Sequence, residues 1–229
     1  MQTQFSMTGQ ATQARALQRN RVLRNTYLLL AVSMIPTVLG AILGVNTGFA
    51  LFAGSSLISF LLFLGIAFAF MWVIERTKNS VMGIVFLLGF TFFMGMMLSG
   101  ILLAALAFSN GPALIATAAG GTGAIFFTLA GIAAVTKKDF SFMGKFLFIG
   151  LVVLLLAMVA NIFFQIPALS LTISAMVILL FSGYILYDIS RIVNGGETNY
   201  ITATLAVYLD IYNVFVHLLN LLMALSGRD

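Results

Sequence analysis

The 229-residue chain contains no cysteine and very few charged residues. The absence of cysteine excludes disulfide bonds and thiolate chemistry. Charged residues make up only 7% of the sequence, whereas a soluble domain of this length carries about a quarter. Hydrophobic residues make up 62%, and the mean hydropathy is +1.13. These values are typical of an integral membrane protein and exclude a soluble domain.

The start of the chain also lacks the apolar core and small-residue cleavage site of a secretory signal peptide. Residues 1–26 are polar and rich in glutamine and threonine, and four arginines lie near their end. We interpret this stretch as an uncleaved cytoplasmic tail, part of which can form a short interfacial helix. Residues 27–229 are then a single transmembrane domain.

Seven apolar stretches follow, each near the roughly 20 residues that a membrane-spanning helix needs. Short polar breaks separate them and leave no room for a soluble domain. The predicted spans are Tyr27–Val45, Phe49–Ile74, Val81–Phe108, Pro112–Val135, Phe146–Phe164, Pro167–Val193 and Ile201–Leu225. The sequence therefore predicts an all-α, multi-pass membrane protein with seven transmembrane helices in a lipid bilayer.

Basic residues are distributed unevenly between the two ends of these spans. Ten lie in the tail and in the breaks on its side, and one, Arg228, lies on the other side. The positive-inside rule then puts the N-terminus in the cytoplasm. With seven full spans the C-terminus lies outside, whereas a re-entrant last segment would bring it back inside. Membrane topology accounts for the excess of basic over acidic residues, so we expect no nucleic-acid partner.

Two aspartates stand inside apolar runs, Asp188 in YILYDIS (184–190) and Asp210 in AVYLDIY (206–212). An aspartate at the centre of a span costs about 3 kcal/mol on insertion scales, so such residues face the bundle interior and are usually functional. The two positions differ in depth by only about one helical turn. Carboxyl groups that meet there cannot both ionise cheaply and titrate as a unit. Protonated, they latch two helices, and deprotonated, they repel and offer oxygen ligands to Ca²⁺.

Other polar residues accompany the aspartates. Spacings of three, four and three residues place one polar face along the seventh span: Asp210, Asn213, His217 and Asn220. We expect the last three to line an ion route or to brace it, and the alternative is interhelical hydrogen bonding without further function. Arg191, three residues after Asp188, and Arg76, at the inner end of the second span, are the candidate counter-charges.

Three classes of function are compatible with these residues. The first is a pH-sensitive cation leak with the aspartates as latch and transient metal ligands. The second is an intramembrane aspartyl protease, but its G-x-G-D motif is absent because Val207 and Leu209 occupy the glycine positions. The third is a non-catalytic regulator that docks on another membrane protein through its tail and inner loops. We expect no enzymatic activity and no cofactor, with Ca²⁺ as a permeant ion.

Three stretches resemble the Bax inhibitor-1 family: YILYDISRI (184–192), KKDFSFMGKF (137–146) and LAVYLDIYNVFVHLL (205–219). The resemblance implies a seven-helix bundle with the C-terminal helix at its centre. It also implies that Asp188 and Asp210 match a pH-sensing pair that controls Ca²⁺ flux. Leak-type members pair these aspartates with an arginine on the second helix, for which Arg76 is the nearest match.

Further stretches are similar to a bacterial, YccA-like branch of that family: RVLRNTYLLL (21–30), MVANIFFQIPAL (158–169) and GGETNYITAT (195–204). This similarity implies an inner-membrane protein that binds the AAA protease FtsH and modulates its activity. The tail Met1–Asn20 suits that role, since such a protease grips an unstructured end. We predict a pH-sensitive Ca²⁺ leak as the function, with FtsH modulation as the alternative.

Overall fold

The computed structural model describes residues 2–48 and 57–227, and for residues 2–16, 57, 59 and 60 it describes the backbone alone. Its regular structure is helical throughout these ranges. The helices are α1 (Gln2–Thr47), α2 (Leu57–Thr77), α3 (Val81–Met97), α4 (Ser99–Leu106), α5 (Gly111–Thr136), α6 (Met143–Phe164), α7 (Pro167–Asn194) and α8 (Tyr200–Ser226). The all-α prediction is confirmed.

Six segments of the described chain are long and apolar enough to cross a membrane: Leu17–Thr47, Val81–Leu106, Gly111–Thr136, Met143–Phe164, Pro167–Asn194 and Tyr200–Ser226. They correspond to six of the seven predicted spans. The remaining prediction, Phe49–Ile74, begins outside the described residues, and α2 covers its second part. The count of seven spans is therefore matched in part.

The segment Val81–Leu106 is divided at Leu98 between α3 and α4. The backbone of Leu98 keeps helical torsion angles, with φ of −67° and ψ of −20°. Its N–H donates to two carbonyl groups, that of Met94 at 3.2 Å and that of Gly95 at 3.0 Å. The division is thus a local irregularity within one span.

Helix α1 is longer than the sequence predicted. Its backbone is helical from Gln2, so the tail is not unstructured. Residues 10–26 contain neither glycine nor proline and are rich in alanine, glutamine, arginine and leucine, which favour a continuous helix. Val22 and Thr26 are already buried, and the Thr26 hydroxyl donates to the Val22 carbonyl at 2.9 Å. The boundary predicted after residue 26 therefore lies inside a packed helix.

Helix α8 packs against α1, α2, α3, α4, α5 and α7. The side chains of Val207, Val214 and Leu219 have no solvent exposure. Around it, α1 and α3 approach with their backbones almost in contact, because a Cβ on Gly95 would lie 2.1 Å from the Thr37 carbonyl oxygen. Small residues at such positions allow close helix packing in membranes.

Three loops (residues 78–80, 137–142 and 195–199) meet at one end of the bundle. We call it the basic end, because Lys78, Lys137, Lys138 and Arg191 lie there. The Asn199 amide donates to the Lys78 carbonyl at 3.0 Å, and the Asn194 amide donates to the Lys138 carbonyl at 3.1 Å. At the opposite end, the Asn110 amide donates to the Ser226 hydroxyl at 3.1 Å. The grouping of the loops is the one that the charge pattern predicted.

Candidate functional site

A tight hairpin between α7 and α8 brings the two aspartates close together. Helix α7 ends at Gly195, whose φ of +80° is readily accessible only to glycine. The Gly196 N–H then donates to the Arg191 carbonyl at 2.8 Å. Helix α8 begins after Asn199, whose side-chain oxygen accepts hydrogen bonds from the N–H groups of Ile201 and Thr202. Both helix ends are thereby capped. Because the connection between them is short, the two helices run antiparallel and lie next to each other.

The side chains of Asp188 and Asp210 lie close enough to each other to interact electrostatically and to form a hydrogen bond. Asp210 is 4% exposed, and the Asp188 side chain is 13% exposed. An ionised carboxylate only accepts hydrogen bonds, so this contact requires a proton on one of the two groups. The structure therefore brings together the two residues that the sequence singled out.

One oxygen of the pair has no donor. Asp210 Oδ2 is buried and accepts no hydrogen bond from the residues that the structure describes. Leaving a buried acceptor unsatisfied costs about 1–3 kcal/mol, and more when the group is charged. Such an oxygen is suited to a proton or a transient cation.

Arg191 supplies the positive charge beside the pair. Its guanidinium lies 3.8 Å from Asp188 Oδ1 and 3.7 Å from Glu197 Oε2. The same group stacks over the Tyr187 ring, 5.6 Å from the ring centroid. The guanidinium group of Arg191 therefore interacts with two carboxylates at the basic end of α7, that of Asp188 and that of Glu197 in the following loop.

Arg76 is placed elsewhere. Its guanidinium lies over the ring of Trp72, 5.0 Å from the centroid, and Trp72 is 61% exposed on the outside of the bundle. Among the described residues, no ion pair joins Arg76 to either aspartate. Arg191 is therefore the counter-charge in this structure. The prediction of Arg76 rested on its position at the inner end of the second span and on the family resemblance, and neither determines which face of the helix the residue occupies.

Tyr184 also belongs to the site. It lies one turn before Asp188 and interacts electrostatically with both aspartates. Its ring is tilted against that of Phe181, with centroids 5.7 Å apart. The aspartate pair therefore has aromatic side chains on the α7 side, which keeps the surroundings of the carboxyl groups apolar.

The polar face predicted on α8 divides into two parts. The Asn213 amide donates to the carbonyl of Leu209 on its own helix at 2.8 Å. His217 Nδ1 lies 3.1 Å from the Ser174 hydroxyl, and the Asn220 amide donates to the same hydroxyl at 3.0 Å. Asn213 is thus engaged with its own backbone, whereas His217 and Asn220 connect α8 to α7.

Ser174 is a site residue that the sequence reasoning missed. It is 1% exposed and holds the two polar side chains of α8. The available signal was periodicity, because Ser174 precedes Asp188 by 14 residues, or about four helical turns, and lies on the same face of α7.

A cavity of about 540 Å³ opens beside this cluster, between α6, α7 and α8. Its polar lining consists of Asn161, Gln165, Ser170, Ser174, His217 and Asn220. His217 lies seven residues from Asp210, or about 10 Å along the helix. The cavity therefore reaches towards the aspartates from the end opposite to the basic end, and the intervening side chains of α7 and α8 separate the two.

On the basic end, the loop 137–142 lies across α7. The Ser190 hydroxyl donates to the Lys138 carbonyl at 3.0 Å and accepts from the Phe140 N–H at 3.1 Å. Ser190 is fully buried and lies two residues after Asp188. In the same loop, hydrogen bonds from the Ser141 hydroxyl and N–H hold the pKa of Asp139 below its ordinary value.

The residues that the structure describes contain no group of three or more histidine, cysteine, aspartate or glutamate side chains able to hold a metal ion. Asp188 and Asp210 offer carboxylate oxygens from two residues, whereas a stable Ca²⁺ site uses six to eight oxygen ligands. The pair is therefore suited to passing contact with a cation.

The amino-acid sequence is similar to a known protein family and to several bacterial proteins over most of its length. The family described as "Inhibitor of apoptosis-promoting Bax1" matches residues 19–227. The chain is similar to the "Modulator of FtsH protease YccA" of Escherichia coli K12, with 42% identity over 93% of this chain and 94% of the relative. An uncharacterized membrane protein of Vibrio cholerae is 40% identical over 94% of each chain. An uncharacterized protein of Neisseria meningitidis serogroup A is 39% identical over 94% of this chain and 96% of its own.

Proposed function

The chain belongs to the Bax inhibitor-1 family, and we propose that it is a pH-sensitive leak for Ca²⁺ across a bacterial inner membrane. The observation that carries the proposal is the buried contact between Asp188 and Asp210, with Asp210 Oδ2 lacking a donor. In this proposal seven helices span the membrane around a central α8. The basic end and the N-terminus face the cytoplasm, as the positive-inside rule requires.

The gate works through one shared proton. When a carboxyl proton joins Asp188 to Asp210, it holds α7 against α8 and keeps the route closed. When that proton leaves at higher pH, two negative charges in a poorly solvated site repel each other. The helices then separate, and the carboxylate oxygens become transient ligands for Ca²⁺. Arg191 stabilises the ionised form of Asp188 from the cytoplasmic side.

The polar cavity at the opposite end supplies the outer part of the route. His217 and Asn220 line it together with Ser174, and the hydrogen bonds that they make brace α8 on α7. Asn213 lies between the cavity and the aspartates and stabilises the backbone of α8. For the ion route to open, a continuous path must form alongside the two turns of α8 that separate His217 from Asp210.

A pair of aspartates in contact is also the arrangement of an aspartic protease, but the surroundings argue against catalysis. The protease motif needs glycines where this chain has Val207 and Leu209, and Val207 is completely buried in the core. A substrate backbone therefore cannot approach Asp210 from that side. We propose no enzymatic activity and no bound cofactor.

The test is Ca²⁺ flux into liposomes that contain the purified protein, measured between pH 5 and pH 8. We expect flux to rise with pH in the wild type and to lose this dependence in the double variant Asp188→Asn/Asp210→Asn. Asp139→Asn is the matched control, since Asp139 is an exposed loop carboxylate whose lowered pKa keeps it ionised over this range. Absence of flux at every pH, or the same pH dependence in the double variant, would contradict the leak.

A second candidate function is modulation of the membrane protease FtsH. It is favoured by the 42% identical relative whose name states this role. The basic end and the N-terminal part of α1 would then meet the protease, and the first turns of α1, from Gln2 to residue 20, would have to unwind before being gripped. We expect a membrane substrate of FtsH to live longer in cells that contain this protein, and deletion of residues 1–20 to remove the effect. An unchanged substrate half-life would exclude this role.

A further inference from the structure

A long groove runs along the bundle between α1 and α5, with α4 and α8 at its base. Its volume is about 1050 Å³, and its lining on α1 extends from Tyr27 to Asn46. The 19 residue-to-residue steps between them correspond to about 28 Å of helix, which is close to the roughly 30 Å thickness of the hydrocarbon core of a bilayer. The groove therefore passes through the whole apolar layer.

The hydroxyl groups of four residues in the walls of the groove form hydrogen bonds within the protein. The Thr37 hydroxyl lies 3.0 Å from the Tyr208 hydroxyl, and the Thr122 hydroxyl donates to the Ala118 carbonyl at 2.7 Å. The Tyr212 hydroxyl donates to the Met94 carbonyl at 3.2 Å. With these side chains satisfied inside the protein, the groove is suited to a hydrocarbon occupant.

The groove is open towards the surrounding lipid. Phe127 on one rim is 74% exposed, and Val38 on the other is 56% exposed. A Cβ added at Gly123 or Gly131, both in the wall formed by α5, would meet no atom within 4 Å. Lipid can therefore enter sideways and lie directly against the backbone of α5.

Positive charge is concentrated where the groove reaches the basic end. Arg24 lies three residues before Tyr27 on the same face of α1, with Arg21 one turn further, and Lys137 follows the lining residue Ala134 by three residues. All three are exposed. No ion pair among the described residues involves them. Basic residues at the membrane surface attract anionic lipid headgroups.

We propose that this groove binds an anionic phospholipid of the leaflet at the basic end. The acyl chains lie between α1 and α5, and Arg21, Arg24 and Lys137 contact the headgroup phosphate. The site is separate from the aspartate pair and does not depend on the proposed leak. The proposed lipid site also gives a role to Gly123 and Gly131 of α5, whose lack of a side chain is not required by packing against other helices.

The test is native mass spectrometry of delipidated protein to which phosphatidylglycerol or phosphatidylcholine is added. We expect a retained adduct with phosphatidylglycerol and little with phosphatidylcholine. Gly123→Leu should fill the groove and remove the adduct, whereas Gly120→Leu should retain it. Gly120 is the matched control, because it lies on α5, has equally open surroundings and does not line the groove.

The headgroup contact is tested separately by Arg21→Gln/Arg24→Gln/Lys137→Gln. We expect this variant to bind the two lipids to the same low extent, and Lys145→Gln, an exposed lysine on α6, to behave like the wild type. Equal binding of both lipids by the wild type would overturn the proposal, as would an unchanged adduct in Gly123→Leu. A stable dimer or a copurifying protein that is lost in Gly123→Leu would also overturn it, since the groove would then hold protein.

Discussion

Two polar sites join α7 to α8, and they differ in how well their polar atoms are satisfied. At Ser174, a single hydroxyl meets both His217 and Asn220 at about 3 Å, and all three groups are neutral or readily kept neutral. At the aspartate pair, two acidic groups meet in a buried site and one oxygen has no donor. The first arrangement is sufficient for joining two helices, whereas the second is costly for that purpose alone. The difference makes the aspartates, and not the Ser174 cluster, the candidate functional site.

The strongest test of this comparison is the single substitution Asp210→Asn. The asparagine amide can donate to the Asp188 carboxylate without a shared proton, so the contact no longer changes with pH. We expect Ca²⁺ flux in liposomes to become independent of pH between 5 and 8. The unfolding temperature in detergent serves as the control for folding. Flux that still rises with pH would show that the pair is not the sensor.

Substitution of Arg191 by glutamine should have a smaller effect. Without the guanidinium 3.8 Å away, the ionised form of Asp188 is less stabilised, so the rise in flux should begin at a higher pH. Exposed ion pairs contribute about 0–1 kcal/mol, and one pH unit corresponds to about 1.4 kcal/mol. The Arg191 side chain is 35% exposed, and we therefore expect a shift below about one unit.

The midpoint of the flux–pH curve measures this shift, and Arg76→Gln is the informative control. Arg76 lies on Trp72 and makes no described ion pair with the aspartates, so its substitution should leave the midpoint in place. A midpoint that moves with Arg76 and not with Arg191 would reverse the assignment of the counter-charge.

Ser174→Ala should have the smallest effect. It removes two interhelical hydrogen bonds, and such bonds in membranes average about 0.6 kcal/mol each. We expect the free energy of unfolding to fall by about 1 kcal/mol and the midpoint of the flux–pH curve to stay unchanged. Thermal unfolding in detergent and the liposome assay measure the two quantities. A large shift of the midpoint would show that the two polar sites act together.

Much of the candidate site could be predicted from the sequence. Asp188 and Asp210 stand out because an acidic residue within an apolar span is rare and expensive. Ser174 does not stand out, since serine is tolerated in membrane helices and its importance depends on which residues face it. Arg76 and Arg191 have similar depths, and only the orientation of each helix decides which of them meets Asp188.

The glycines show the same limit of prediction from the sequence. Gly95 and Gly123 both lie in apolar spans and look alike in the sequence. A Cβ on Gly95 would collide with the backbone of α1, whereas one on Gly123 would project into the open groove. A small residue in an apolar span favours close helix packing at either position. The arrangement of the neighbouring helices makes Gly95 a contact and Gly123 part of the groove wall.

The sequence by itself determined the membrane class, most span boundaries, the uneven distribution of basic residues and the two residues of interest. These properties follow from the transfer of individual side chains into a bilayer, which depends on each residue and its immediate neighbours along the chain. Only the tertiary structure decided that the aspartates touch, that Arg191 is their counter-charge, and that α1 and α5 leave a groove. Those outcomes depend on helix rotation and tilt, which are determined jointly by all the packed faces.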